Sequence, residues 1–494
     1  MQEILKMRWF YLLGFIFLGV NSYLISKDQL LLTAFPIGLL LVYTAIFHMD
    51  KLFMFIVFCT PLSVNIEEYV GGSIGLFLPT EPLLFGILVL VVLMQFISKW
   101  FDREFLRHPI TIIFALQFTW IFLTSITSEL PLVSFKFLLT KLWFIIPIYF
   151  YGYLFFKTEK NINWFIWLFI GSLSIVVLYT LSNHAMYGFD EETGHWVMFP
   201  FFKDHTSYGA ILALVFPILI GFLIGRKNGP LVQITLISLI ALFGFAIMMS
   251  YTRAAWLSLI AALAVYFLIR FKIRFRYLLA IGMVGLIYAA ISWTQIMHSL
   301  EKNDAEHATE NMDERIESMA NITTDASNLE RLNRWYCAVR LFEERPILGW
   351  GPGTYAMVYA PFQLESFKTI ISTNSGNRGN AHSEYLGPMS EQGLPGLILM
   401  LVLVGYIFYT AINLYIRMPD GDLRLTVLLL TLALVTYFVH GILNNYLDTD
   451  KATVPVWGFT AIIVMLDLKF KRGTSTESIL TKEGLSDRSP DDTK

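Results

Sequence analysis

From Asn380 to Glu391 the chain reads Asn-Ala-His-Ser-Glu-Tyr-Leu-Gly-Pro-Met-Ser-Glu, which sets an imidazole, two serine hydroxyls and two carboxylates in one short stretch. His382 is suited to take a proton from a hydroxyl at neutral pH, because an imidazole has an ordinary pKa of about 6.5. Ser383 beside it raises the idea of a Ser–His pair for acyl transfer. Adjacency in sequence does not supply that geometry, so the His acting as base is the stronger reading. Glu384 and Glu391 are both candidates to orient the ring. Glu384 would point away on a strand but could reach the imidazole in a turn.

A second set of residues could hold an anion. Arg253, in Met249-Ser-Tyr-Thr-Arg253, interrupts an apolar stretch running from Leu231 to Leu268. At 1.5 Å per residue that stretch is far too long to cross a bilayer once. The chain must fold back there, which places a cation at a helix start against the helix dipole, at a cost of roughly 2.5–3.5 kcal/mol if it sits deep. A nearby anion would offset that. Lys203, in Phe199-Pro-Phe-Phe-Lys-Asp-His-Thr-Ser207, stands at another helix mouth with Asp204 and His205 beside it. An ion pair with Asp204 and a ligand role are equally good readings of it. Lys136 and Lys141 make a weaker pair on the same side. The natural ligand for converging cations is a phosphate or diphosphate, which Arg grips through two parallel bonds.

The elements that carry these groups are oily. Of 494 residues 56% are hydrophobic and 15% charged, and the mean hydropathy of +0.60 lies outside the range of soluble domains. The chain reads as an all-α polytopic integral membrane protein. Apolar runs at 9–25, 29–48, 51–64, 83–98, 110–126, 138–156, 163–181, 207–225, 231–249, 254–270, 277–294, 393–416, 424–443 and 453–469 predict about 14 spans, within a range of about 12 to 14. The first run follows Lys6 and Arg8 and has no small-residue cleavage site after it, so it reads as a retained span. Basic residues fall on alternate loops, which makes those loops cytoplasmic and puts both termini inside. A net charge of -2 argues against a nucleic-acid partner. Cys59 and Cys337 are too few for a disulfide framework or a metal site.

Four segments result: spans at 1–294, an external loop domain at 295–392, further spans at 393–470 and a tail at 471–494. The loop is too long for a plain connection and should fold as a cap. Within it, Ser327 and Glu330 have capping-box spacing and predict a helix to about Glu344. Leu329, Leu332, Trp335, Val339 and Phe342 would form its apolar stripe, with Arg331 and Arg334 off it. Pro346 and Gly349-Trp-Gly-Pro-Gly-Thr354 then end it. The tail is polar, lacks aromatics and is expected to be disordered.

Three pieces in order, Glu330-Arg-Leu-Asn-Arg-Trp335, Arg345-Pro-Ile-Leu-Gly-Trp-Gly-Pro-Gly-Thr-Tyr355 and Asn380-Ala-His-Ser-Glu-Tyr-Leu-Gly-Pro-Met-Ser-Glu-Gln-Gly393, resemble the O-antigen ligase and polymerase superfamily of bacterial envelopes. The likeness covers roughly residues 195–415; the flanking spans agree only in hydropathy. It implies a GT-C-like, multi-pass enzyme of the bacterial inner (cytoplasmic) membrane. Such an enzyme moves a glycan from an undecaprenyl-diphosphate-linked donor to an acceptor, either lipid A core or a growing polysaccharide, with inversion and without a metal or other cofactor. By position, the resemblance assigns His382 as base, Arg253 as the intramembrane Arg and Arg334 as the loop Arg, with Arg331 one turn away. Lys203, His205, Arg331, Glu384 and Glu391 are the candidate substrate contacts. One departure is Asp204-His205-Thr206, where many relatives have Asn.

Two rivals predict other features. A lipid-linked glycan flippase or transporter would have matching halves with paired breaks in corresponding spans, and the sequence has neither. A metal-dependent glycosyltransferase would use Glu67 and Glu68, or Asp190, Glu191 and Glu192, which read better as solvated charge runs.

Overall fold

The computed structural model describes residues 2–29, 31–67, 75–272, 326–364 and 379–486, with scattered positions between 277 and 292. The expected span at 277–294 lies largely outside the described residues, as do 293–325 and 365–378 of the expected loop domain. The chain forms two compact units, Met1–Ile56 and Val57–Lys494.

The first unit contains α1 (Gln2–Ile25), α2 (Phe35–Phe47) and most of α3 (Met49–Cys59). Asp28 takes a left-handed φ of 57° in the turn that separates α1 from α2. Thr33 Oγ1 donates to Asn21 Oδ1 at 3.3 Å and the Phe17 and Phe35 rings lie 6.3 Å apart, so the pair is held as a helical hairpin.

In the second unit β1 (Val64–Asn65) pairs antiparallel with β2 (Phe77–Leu78). Then come α4 (Thr80–Ser98), α5 (Arg103–Leu106), α6 (Pro109–Ile126) and α7 (Pro131–Ile145), which passes through a π-helical turn (Ile146–Tyr151) into α8 (Gly152–Phe156). Next are α9 (Glu159–Met186), α10 (Glu191–Gly194), α11 (His205–Gly225), α12 (Pro230–Met249) and α13 (Arg253–Arg270). The loop segment supplies α14 (Ala326–Glu344) and α15 (Tyr355–Val358), and α16 (Leu386–Arg417), α17 (Asp422–His440) and α18 (Asp450–Ser486) complete the chain.

Among the described residues ten helices are long and apolar enough to cross a membrane. This is a largely helical, multi-pass membrane protein. The expected figure of about 14 also counts the run at 277–294, most of which lies outside the described residues. The run at 51–64 gives only α3, whose 11 residues span roughly 16 Å before the chain turns into the sheet. The shorter apolar stretches among the described residues are Tyr11–Ile25, within the 24-residue α1, and Leu32–Phe47, which runs from a 3-10 turn into α2. The two-stranded sheet is a small departure from an all-α fold.

Helix starts follow from local chemistry. Pro109, Pro131 and Pro230 open α6, α7 and α12, where a missing N–H costs nothing. Asp204 caps α11 by accepting from the Thr206 and Ser207 N–H groups at 2.9 and 2.8 Å. α17 and α18 are buried along most of their length, whereas α12 and α13 expose most of theirs, as helices on a lipid-facing rim do.

Successive helices reverse direction, which gives the bundle two chemically different ends. At one end Arg226 donates to Asn163 and Thr426, Asp467 accepts from Arg417 at 2.8 Å and from Lys471 at 2.5 Å, and Arg472 pairs with Asp102 at 3.0 Å. These basic residues belong to the alternate loops the sequence picks out. The other end carries the starts of α11, α13, α16 and α18 and the end of α17. Thr252 Oγ1 donates to the His205 carbonyl at 2.9 Å there, and the Thr206 and Tyr446 hydroxyls are 2.5 Å apart. α18 is described to Ser486, past residue 471 where the composition predicts no fold; residues 487–494 lie outside the described residues.

Candidate functional site

The loop segment is fastened to the bundle by its own turn motif. Gly349-Trp350-Gly351 lies along the first turns of α16: the Trp350 N–H donates to the Ser390 carbonyl at 3.2 Å and the Gly351 N–H to that of Glu391 at 2.8 Å. Arg345 stacks on the Trp350 ring and pairs with Glu129 at 2.8 Å. Glu391 Oε1 accepts from the Tyr355 N–H at 3.0 Å, so it holds the start of α15. At Gly393 α16 breaks, with φ of 69°. Only glycine adopts that conformation freely, and Pro395 just beyond cannot donate to the preceding turn. The groups freed are satisfied from outside: Trp120 Nε1 donates to the Gln392 carbonyl at 2.9 Å, and the Leu394 N–H donates to that of Pro346 at 2.8 Å.

α14 presents a different face from the one expected. Its buried residues include Leu332, Asn333, Arg334, Cys337, Ala338 and Leu341, while Trp335, Val339 and Phe342 are only half-buried. The face is turned because Arg334 can be buried with its charge satisfied: its Nε donates to Glu330 at 2.6 Å and its guanidinium stacks 4.0 Å above Tyr359. Glu330 thus pairs forward with Arg334. The capping box expected a reach back toward Ser327. Burial pushes the Cys337 thiol up to about 12, against the pull of Arg334, which makes it an inert packing residue.

His382 sits in the short segment between the loop and α16. Its φ is 46°, a left-handed conformation that costs a non-glycine residue about 1–2 kcal/mol. Two contacts hold it there: its N–H donates to Asn380 Oδ1 at 3.0 Å and its carbonyl accepts from Trp335 Nε1 at 3.2 Å. Ser383 is a helix cap, not a nucleophile, since its Oγ accepts from the N–H groups of Tyr385 and Leu386 at 3.3 Å. Burial and the fields of Arg331 and Arg334 push the His382 imidazole down to about 4, while the negative charge of Glu330 pulls the other way. The ring is therefore neutral at physiological pH. Asn444, at 2% exposed, places its Nδ2 3.1 Å from Nε2 of the buried His440.

The two carboxylates expected beside His382 are engaged elsewhere. Glu384 Oε1 accepts from the Tyr437 hydroxyl at 2.6 Å and from the N–H groups of Tyr446 and Leu447 at 2.7 and 2.9 Å, which anchors the α17–α18 loop. Burial lifts this carboxyl above its usual range. Glu391 holds α15 as described. Arg331 faces both His382 and His440. The remaining cations ring the same end of the bundle. Arg253 opens α13 next to Thr252, which is bonded to His205, and the His205 ring stacks on that of His195 at 4.2 Å. Exposed Lys203 and half-buried Lys141 both act on Asp448. Lys141 Nζ also donates to the Leu447 carbonyl at 2.9 Å. A cavity of about 300 Å³ runs beneath the His382 segment, lined by Ala381, Ser383, Glu384, Lys141, Asn445 and Asp448 among others.

Residues 236–401, 166 of the 494, match the O-antigen ligase family. The chain carries an O-antigen ligase domain. No curated protein matches the chain. The O-antigen ligase domain takes in α13, α14, the Gly-rich turn and the kinked start of α16, and so contains Arg253, Arg331, Arg334, His382, Glu384 and Glu391. Lys203 and His205 precede it, and His440 and Asn444 follow it. Among the described residues no three His, Cys, Asp or Glu side chains are grouped to hold a metal ion.

Sequence reasoning missed His440, Asn444 and Glu330. His440-Gly-Ile-Leu-Asn444-Asn445 was absorbed into the end of an apolar run at 424–443. A signal was available: a His followed by two Asn at the mouth of a span, at the same end as His382.

Proposed function

We propose that this protein is a membrane glycosyltransferase that moves a glycan from a polyprenyl-diphosphate donor to a hydroxyl of an acceptor sugar. The observation that carries this reading is a neutral imidazole, held in a strained backbone conformation, facing two arginines at the mouth of a helical bundle. The match of residues 236–401 to the O-antigen ligase family supports reading that combination as a base and a diphosphate clamp. The basic loops mark the opposite end as cytoplasmic, which makes the site end and the segment 295–392 external, in a bacterial inner membrane. A GT-C-like architecture belongs to the same reading.

The chemistry is one displacement. The acceptor oxygen attacks the anomeric carbon, its proton passes to the free nitrogen of His382, and the bond from that carbon to the diphosphate oxygen breaks. The electron pair leaves with the diphosphate, where Arg334 and Arg331 stabilise the growing charge, with Arg253 and Lys203 as further contacts. A single inversion at the anomeric carbon results. Charge neutralisation comes from guanidinium groups, so the reaction as written routes no step through a metal. Glu384 and Glu391 serve this reading as struts that hold the His382 segment and α15.

Ligase and polymerase differ in acceptor. A strain lacking this gene separates them: loss of capped lipid A core with polymer still made identifies a ligase, and accumulation of single repeat units identifies a polymerase. Retention of both products, with lipid-linked glycan trapped on the inner leaflet, would overturn transfer in favour of transport.

A further inference from the structure

We infer that the cavity beneath the His382 segment binds an uncharged sugar of the acceptor glycan, held through Gln117, Asn445 and Asp448. The inference deepens the glycosyltransferase reading and rests on it for which glycan the sugar belongs to.

The cavity, about 300 Å³, lies at the lower end of the range for small-ligand pockets. Its polar lining lacks partners within the protein. Gln117 stands halfway along α6, and a side-chain amide inside a membrane-spanning helix calls for a partner. Among the described residues that amide has no hydrogen-bond partner, and the Asp448 carboxylate has none on another residue. Asn445 Oδ1 is buried and likewise unpartnered. Unmet groups of this kind in a native fold point to something outside the chain that meets them. Two amides and a carboxylate offer both donors and acceptors, which is what neighbouring sugar hydroxyls require. Phe118, Phe137 and Trp457 add flat apolar surface for the C–H face of a pyranose ring.

Charge and position separate this sugar from the donor diphosphate. The charged residues lining the cavity are Glu384, Glu391 and Asp448 against Lys141 alone, a wall that disfavours phosphate. Inversion needs the acceptor oxygen and the departing diphosphate on opposite sides of the anomeric carbon. Arg331 and Arg334 come from α14, whereas Gln117, Lys141, Asn445 and Asp448 come from α6, α7 and the α17–α18 loop. The two sets meet at Gly379, which lines the cavity and where a Cβ would lie 2.5 Å from Arg334 Nη1. Gln117, Lys141, Asn445 and Asp448 also lie outside the matched residues 236–401. Acceptor selection is thus built from a different part of the chain than the base and the arginines.

A filled cavity supplies the test. A Cβ at Gly387, on the cavity wall, meets no atom within 4 Å, so Gly387→Leu adds a side chain to open space. The probes are the free oligosaccharides of uncapped lipid A core and of the repeat unit, released from their lipids in a strain lacking this gene and fluorescently labelled. Without a diphosphate, neither can bind through the arginines. Equilibrium binding to purified protein in nanodiscs is measured alongside transfer from a polyprenyl-diphosphate oligosaccharide. One of the two oligosaccharides should bind the wild type, and Gly387→Leu should abolish that binding at an unchanged unfolding temperature. Gln117→Ala should weaken it about 3- to 10-fold and Asp448→Asn about 10-fold, with the donor KM within about 2-fold in both. Should Gly387→Leu prove unstable, these two variants decide. Failure of both oligosaccharides to bind the wild type, wild-type binding in a stable Gly387→Leu, or a raised donor KM with acceptor binding intact would each overturn the inference. Normal transfer with unaltered binding in every variant removes this inference alone. Binding that is lost in Gly387→Leu, from a wild type that transfers no glycan, would keep the sugar site and remove the glycosyltransferase reading.

Discussion

At the residue scale the site depends on holding one imidazole neutral and aimed. Burial, Arg331 and Arg334 keep His382 down at about 4. A docked diphosphate would cancel those two positive fields and raise the proton affinity of the ring, so the base strengthens when its donor binds. The sign follows directly: activity that needs the unprotonated ring is lost as pH falls through its pKa. The acid limb of kcat/KM, which reports the free enzyme, should therefore lie near pH 4 to 5, and that of kcat at least about one unit higher. Coincident limbs would show that the donor leaves the ring untouched. Arg334→Lys should lower kcat/KM about 10²-fold even though the charge is kept, because an ammonium cannot stack on Tyr359, pair with Glu330 and offer a planar fork together. Unchanged kcat/KM in a steady-state assay would take Arg334 out of the diphosphate clamp. His382 and both arginines were legible from residue type and motif. The engagement of Glu384 was not, because its partners Tyr437, Tyr446 and Leu447 lie far along the chain, which no local spacing records.

At the scale of elements, the Gly-rich turn and the kink of α16 do the positioning. Sequence correctly marked Gly349-Trp-Gly-Pro-Gly and Gly393-Leu-Pro-Gly as turn chemistry, since glycine and proline act locally. It misjudged the face of α14, because hydropathy periodicity treats every Arg as solvated and Arg334 is 4% exposed. Glu391, a candidate substrate contact in the sequence, accepts from the Tyr355 N–H. Glu391→Ala should leave that buried donor without an acceptor and cost about 1–3 kcal/mol, read as a lower unfolding temperature in detergent. Glu391→Gln retains an acceptor oxygen and should stay close to wild type in the same measurement. Equal destabilisation by both would mean the carboxylate charge matters, which the strut role does not require.

At the scale of the whole molecule, the membrane class and the alternation of basic loops were visible in composition. The short α3 was not, because an apolar run such as 51–64 looks alike whether it crosses lipid or packs in protein. Sidedness can be measured directly. Both native cysteines are buried and should stay silent toward a membrane-impermeant maleimide. In intact cells with a permeabilised outer membrane, a cysteine replacing the exposed Glu343 of α14 (Glu343→Cys) should label, and Lys227→Cys in the α11–α12 loop should label only after lysis. The reverse pattern would invert the topology and put the site on the wrong side for an external acceptor. The proposed function requires this chain alone to transfer glycan through His382. The most direct measurement is transfer by the purified protein in liposomes, with a polyprenyl-diphosphate oligosaccharide and an acceptor sugar, comparing wild type with His382→Ala. Product from the wild type and a rate about 10²–10⁴-fold lower in the variant, at an unchanged unfolding temperature, is the predicted result. Equal rates in the two proteins would contradict it.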